Sequence, residues 1–158
     1  MPLDDKDLQR FIAEQGIEAE LVYPSEATPT VAAAAAALGV PTKSIVKSLV
    51  FVAGTGPHLI IAAGEALIDP KRLRDVLGVS RRNLRMAAPE EALEISGYEV
   101  GAMPPFGHLR VLPTLIDSVT VTEPLLYGGG GSKTAMIRLS RATLLAATKG
   151  RLAPLTGA

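Results

Sequence analysis

A lysine stands at position 47 inside the apolar run "SIVKSLVF". Period-two alternation places Ile45, Lys47, Leu49 and Phe51 on one face of a strand and Val46, Ser48, Val50 and Val52 on the other. Both faces are rich in apolar side chains, the pattern of a strand covered on two sides. An ammonium group there is costly unless it is paired or opens on a polar cleft. Two readings follow. Lys47 snorkels from an edge strand, or pairs with Asp117 or Glu65, as a structural residue. Alternatively it holds negative charge in a site. Spacing alone leaves both standing.

A second stretch, "GYEVGAMPPFGH" (97–108), gathers three glycines, two adjacent prolines, Phe106 and His108. Glycine frees the backbone for positive φ, and proline fixes φ and removes a donor, so neither helix nor strand runs through. Within it Gly101 and Pro105 form a G-x-x-x-P unit. A main chain held open in this way can aim N–H groups at a carbonyl oxygen and stabilise an oxyanion. It can equally be a rigid corner that packs Phe106 into the core. His108 alone is as compatible with a satisfied histidine as with a general base.

The third stretch, "YGGGGSKT", imitates a phosphate-binding P-loop, which requires glycine before its lysine and a helix after it. Here Ser132 precedes Lys133, and a strand pattern follows. What remains is a hairpin turn, or a glycine loop whose Lys133 touches a nucleic-acid phosphate. A basic run, Lys71, Arg72, Arg74, Arg81, Arg82 and Arg85, is offset only by Asp69 and Asp75. It is a solvated face or a local polyanion contact with strong salt dependence.

The inventory also excludes. There is no cysteine, so no thiolate nucleophile, disulfide or cysteine-ligated zinc. His58 and His108 lie fifty residues apart, so neither a metal site nor any other cofactor is expected. Sixteen basic and sixteen acidic side chains cancel, giving no global pull toward nucleic acid or membrane. "MPLDDKDLQRF" is acidic and helical in pattern, unlike a signal peptide, and no apolar run is long enough to span a bilayer. The expectation is a cytoplasmic protein.

These residues need elements to carry them. Leu8, Phe11 and Ile12 recur at helical spacing before Gly16. "EAELVYP" is expected as a strand. "TPTVAAAAAALGV" is expected as a helix capped by Thr28, with Pro29 in its first turn and Gly39 at its end. "SIVKSLVFVAG" and "HLIIAAG" suggest an antiparallel hairpin around the turn "GTGP". "DPKRLRDVLG" and "APEEALEIS" suggest helices, "NLRMA" a strand, and "LRVLPTLIDSVTV" one or two strands. "TAMIRLS" alternates as a strand and "RATLLAATKG" closes with a helix. With 47% hydrophobic and only 4% aromatic residues, the core must be aliphatic. At 158 residues, with no repeat and no linker, the expectation is a single α+β domain over 1–158 on a mixed sheet.

Taken in order, "TPTVAAAAAALGVPTKSIVKSLVF", "GYEVGAMPPFGH" and "LPTLIDSVTV…GGGGSK" resemble the YbaK-type aminoacyl-tRNA editing family, freestanding relatives of the editing domain inserted in bacterial prolyl-tRNA synthetases. The likeness runs from about Leu8 to Lys149. It implies a bifurcated mixed β-sheet, partly curled into a pseudo-barrel and flanked by helices. It also implies hydrolysis of the ester joining a wrong small amino acid to the terminal adenosine of tRNA. Lys47 matches the family's essential lysine, and Gly101 and Pro105 its G-x-x-x-P loop, with Phe106, Gly107 and His108 as the tail. Thr28 and Thr30 fall where small polar residues line the pocket, and His108 and Asp117 on positions that recur in some branches. Lys71, Arg72, Arg81 and Lys133 are the candidate tRNA contacts. The implied partners are a misacylated acceptor end and an aminoacyl-tRNA synthetase. Substrate-assisted chemistry suits a chain without an evident catalytic triad. The rival functions are a module that holds an acceptor end or nucleotide without cleaving it, and a purely structural domain.

Overall fold

The computed structural model describes residues 1–157. Helix α1 (Asp5–Gln15) begins with a capping box, in which the Asp4 carboxylate accepts from the N–H groups of Lys6 and Asp7 while the Asp7 side chain accepts from Asp4 N–H. Strand β1 (Ala19–Val22) follows, and then helix α2 (Val31–Leu38). The cap of α2 is Thr30, not Thr28: the Thr30 hydroxyl accepts from Ala33 N–H at 3.1 Å. Both threonines have the chemistry to cap. Tertiary bonds decide between them, because Thr28 is drawn inside, its N–H donating to Lys133 O and its hydroxyl to the sulfur of Met136.

Strands β2 (Val46–Ala53) and β3 (Gly56–Ala63) form the expected antiparallel hairpin, paired from Val46↔Ala63 to Ala53↔Gly56. Its turn is only Gly54 and Thr55, shorter than "GTGP" suggested. Helix α3 (Pro70–Leu77) starts at the Asp69 cap, strand β4 (Leu84–Met86) pairs with the end of β2, and helix α4 (Pro89–Ser96) leads into the glycine–proline loop. Beyond that loop the sequence "LRVLPTLIDSVTV" yields one strand, β5 (Thr114–Asp117). Strand β6 (Leu125–Gly129), strand β7 (Met136–Ser140), helix α5 (Arg141–Thr148) and strand β8 (Arg151–Ala153) complete the chain. Neither β6 nor β8 was anticipated from sequence. Glycine is disfavoured in strands, which hides β6, and three residues are too few to show a period, which hides β8.

The strands divide into a three-stranded sheet, β1-β7-β6, and a five-stranded mixed sheet, β4-β2-β3-β5-β8, with β3–β5 and β5–β8 parallel. The two meet where Ile45, just ahead of β2, bridges Tyr127 of β6. The result is an α+β fold whose forked sheet does not close into a barrel. Strand β2 is covered on both sides, as its sequence required. Val46 and Val50 enter the larger core with Leu59, Ile61 and Leu126, while Leu49 and Phe51 pack in a second with Ile60, Leu73 and Leu155. Each large side chain buried in this way contributes about 1.5–3 kcal/mol.

Candidate active site

Because β2 is packed on both faces, the Lys47 side chain runs between two hollows rather than straight into solvent. It is half-buried, and its Nζ donates to the carbonyl oxygen of Ala66 at 2.7 Å. Ala66 lies between β3 and α3, in a segment tied down by Gly64 N–H to Ile45 O and Asp69 N–H to Leu155 O, each 2.8 Å. Burial lowers the Lys47 pKa from its ordinary value, and the nearby Glu65 carboxylate acts against that shift. Among the described residues no carboxylate forms an ion pair with Lys47. Its ammonium is thus held by one neutral carbonyl.

Lys47 and Gly101 share a hollow of about 280 Å³, together with Thr28, Thr30, Ser48 and Met136. Four separate pieces of chain build it: α2 and its lead-in, β2 with Ile45 just ahead of it, the loop after α4, and the β6–β7 hairpin. The loop is seated by glycine. At Gly129 an added Cβ would lie 2.2 Å from Met103 O, so only a bare backbone lets the 100–103 segment lie against β6. The glycine run of "YGGGGSKT" therefore serves a close approach and a hairpin turn, with β7 after it. This arrangement is unlike a P-loop. Gly101 has φ +92°, and a Cβ there would meet nothing within 4 Å, so its backbone demands glycine while the space beside it stays open. Ala102 N–H is occupied by Glu99 O at 3.1 Å. Among the described residues, the N–H groups of Gly101 and Met103 have no protein acceptor.

The second half of the G-x-x-x-P unit faces elsewhere. Pro105, Phe106, Gly107 and His108 line a separate small hollow of about 90 Å³ beside Phe11 and Thr148. Phe106 is buried and stacks on Phe11 with centroids 5.9 Å apart. His108 Nε2 lies 2.8 Å from Pro104 O. A carbonyl only accepts, so that nitrogen carries the proton. Burial pushes the His108 pKa down, partly offset by the Pro104 carbonyl, and the ring stays neutral. Asp117 is fully buried in a third place, where it accepts from the N–H and hydroxyl of both Thr120 and Thr156 and from Leu155 N–H. Those bonds outweigh desolvation and lower its pKa.

Of the proposed nucleic-acid contacts, Lys133 stands nearest the first hollow. Its carbonyl holds Thr28, and its ammonium sits 3.9 Å from Glu99, two residues before Gly101. Lys71 and Arg72 are on α3, with Arg72 3.7 Å from Asp69, and Arg81 is in the 3₁₀ turn Arg81–Asn83. The apolar lining of the first hollow, Met103 and Met136 above all, escaped the sequence reading. Methionine has no distinctive spacing, and only the fold brings these two together. Among the described residues, no cluster of three or more His, Asp or Glu could hold a metal, and no helix is long and apolar enough to cross a membrane.

Residues 25–147 match the family model of the aminoacyl-tRNA editing domain. The chain belongs to this family. The editing domain is 31% identical over 137 residues to the uncharacterized protein YwhH of Bacillus subtilis, covering 85% of each. It is 37% identical over 112 residues to proline–tRNA ligase of Thermosipho melanesiensis, covering 71% of this chain but 19% of the ligase. Its fold is similar to that of a candidate trans-editing enzyme for prolyl tRNA synthetase, with TM-score 0.90, 32% identity and coverage of 98% and 97% of the two chains. A role in tRNA editing follows from family and fold together.

Proposed function

We propose that this editing domain is an aminoacyl-tRNA deacylase acting in trans, which hydrolyses the ester between a wrongly attached small amino acid and the terminal adenosine of tRNA. The observation that carries the reading is the shared hollow, which sets one unpaired ammonium and one glycine-opened loop around a single space. The free N–H groups of Gly101 and Met103 suit the ester carbonyl, which gains negative charge as it is attacked. A water oxygen adds to the carbonyl carbon, the bond to the ribose oxygen breaks, and that oxygen takes up the proton. The products are a free amino acid and deacylated tRNA. The neighbouring ribose hydroxyl guides the water, so no side-chain base is needed. Lys47 exchanges its carbonyl partner for the terminal phosphate or the developing oxyanion. Its lowered pKa reflects a drier setting, in which such a charge contact is stronger than in water. A misacylated acceptor end, with a synthetase supplying it, is the partner this chemistry requires.

The hollow of about 280 Å³, with Thr28, Met103 and Met136 in its lining, has room for an aminoacyl group, and volume by itself does not select which one. Methylene-sized differences give only about 1–3 kcal/mol of discrimination, so neighbouring amino acids are separated by tens-fold rather than absolutely. The test is single-turnover deacylation of tRNAs charged with Ala, Ser, Thr and Cys. Lys47→Ala should lower the rate by about 10²-fold or more, the loss typical of one oxyanion donor, with the thermal midpoint retained. Undiminished turnover in that variant removes Lys47 from the reaction. Tight retention of deacylated tRNA with no hydrolysis of any charged form would make the domain a binding module.

A further inference from the structure

Lys47 borders a second hollow. On the β2 face that carries it, Leu49 and Phe51 follow at two-residue steps and form a floor, and Leu67, Ile68, Leu84 and Met86 build the walls of a space of about 400 Å³. Two of these walls are notably open for such apolar groups: Leu67 is 79% exposed and Met86 54%. Lys47 lines both hollows, and its amine bonds to Ala66 O, the residue directly before Leu67 of this wall. Arg85 also lines the space, its guanidinium held by a two-pronged bond to Glu91 at 2.5 and 2.8 Å. The stretches that supply the walls are basic in sequence, with Lys71, Arg72 and Arg74 after Pro70 and Arg81 and Arg82 before Leu84, offset by Asp69 and Asp75.

We propose that this second hollow is a nucleobase subsite for the single-stranded 3′ end of an RNA. An apolar floor with exposed aliphatic walls and a fixed planar guanidinium offers stacking surface to any base, and Lys47 with the cations of the flanking stretches meets the phosphates on either side. A partner surface of purely apolar character leaves these cations unmatched, and a bare anion leaves the apolar floor uncovered. A nucleotide satisfies both. The subsite rests on the editing reading and extends it: the acyl group occupies the hollow at Gly101, a base lies in the hollow at Met86, and Lys47 stands on the divide between them.

The chain's methionines make the test direct, since Met86 reports on the second hollow and Met103 and Met136 on the first. Protein carrying ¹³C-methyl methionine is titrated with the trinucleotide CCA, with its abasic counterpart, and with AMP and CMP. CCA should shift the Met86 methyl upfield by ring current. Leu67→Asp should weaken CCA binding about fivefold or more, the effect of losing one stacked base. A stationary Met86 methyl at saturation overturns the subsite, as does abasic RNA that binds as tightly as CCA. AMP or CMP binding as tightly as the trinucleotide overturns the assignment to an RNA end. The two proposals fail separately. Active deacylase with a silent Met86 sinks the subsite alone, whereas a shifted Met86 in a protein that hydrolyses no charged tRNA sinks the hydrolysis alone.

Discussion

Lys47 and His108 are both ionisable groups moved off their usual pKa by burial, yet the fold uses them in opposite ways. Lys47 keeps one exchangeable acceptor and faces space, whereas His108 is closed between Pro104 O and the ring edge of Tyr98. Their titrations should separate accordingly. Deacylation corrected for spontaneous ester loss should fall on the alkaline side below the ordinary lysine value of 10.5, because the Lys47 ammonium is lost earlier than usual. Lys47→Met should abolish that limb. The same profile should show no inflection near 6.5, since His108 is already neutral there. Its effect lies in stability. With the folded pKa below 6.5, the unfolded chain takes the proton first, so stability should decline as pH drops below about 6.5. His108→Gln should flatten that part of a denaturation series. The lysine stood out in sequence because an ammonium in a doubly apolar strand is anomalous by itself, although spacing left a structural role equally open. The enclosure of His108 did not, since its neighbours come from the loop's folded shape.

At the scale of elements, threonines 28 and 30 divide two tasks that the sequence offered to either. Thr30→Ala removes the α2 cap and should cost about 1 kcal/mol in urea unfolding, with a modest effect on deacylation. Thr28→Val keeps the shape but removes the hydroxyl that meets Met136 inside the hollow, so activity should change more than stability. Helix α3, with Asp69, Pro70 and Gly78 at its ends, was readable directly, as was the β2–β3 hairpin, because caps and alternation are local. Strand β6 was not. Its Gly129 answers to Met103, which is 26 residues away in sequence, and propensity has no access to such a contact. Gly129→Ala should push the 100–103 segment off β6. Loss of turnover together with a broadened Met103 methyl resonance would record that displacement.

For the molecule as a whole, Asp117 is the most heavily bonded buried carboxylate among the described residues. It was singled out for the site, and in the fold it joins the turn after β5 to the segment after β8 through five hydrogen bonds. Asp117→Ala should cost at least about 3 kcal/mol, given that a bond to a charged acceptor is worth about 1.5–3 kcal/mol. For a chain of this size, that lowers the thermal midpoint by about 6–12 °C. The native carboxylate has a pKa below its usual 3.8, so its contribution is complete above that pH and is lost as pH falls through the folded value. An acid titration of the thermal midpoint should therefore lose its steepest segment in Asp117→Asn.

Strand β1 pairs with β7, Ala19 opposite Leu139, and the first hollow draws on residues from Thr28 to Met136. Such distant pairings are slow to form, because a long loop must close before any contact repays it. During synthesis on the ribosome, Lys47 emerges 89 residues before the wall supplied by Met136. The first hollow is therefore complete only once β7 has docked, long after the hairpin that carries Lys47 has been made.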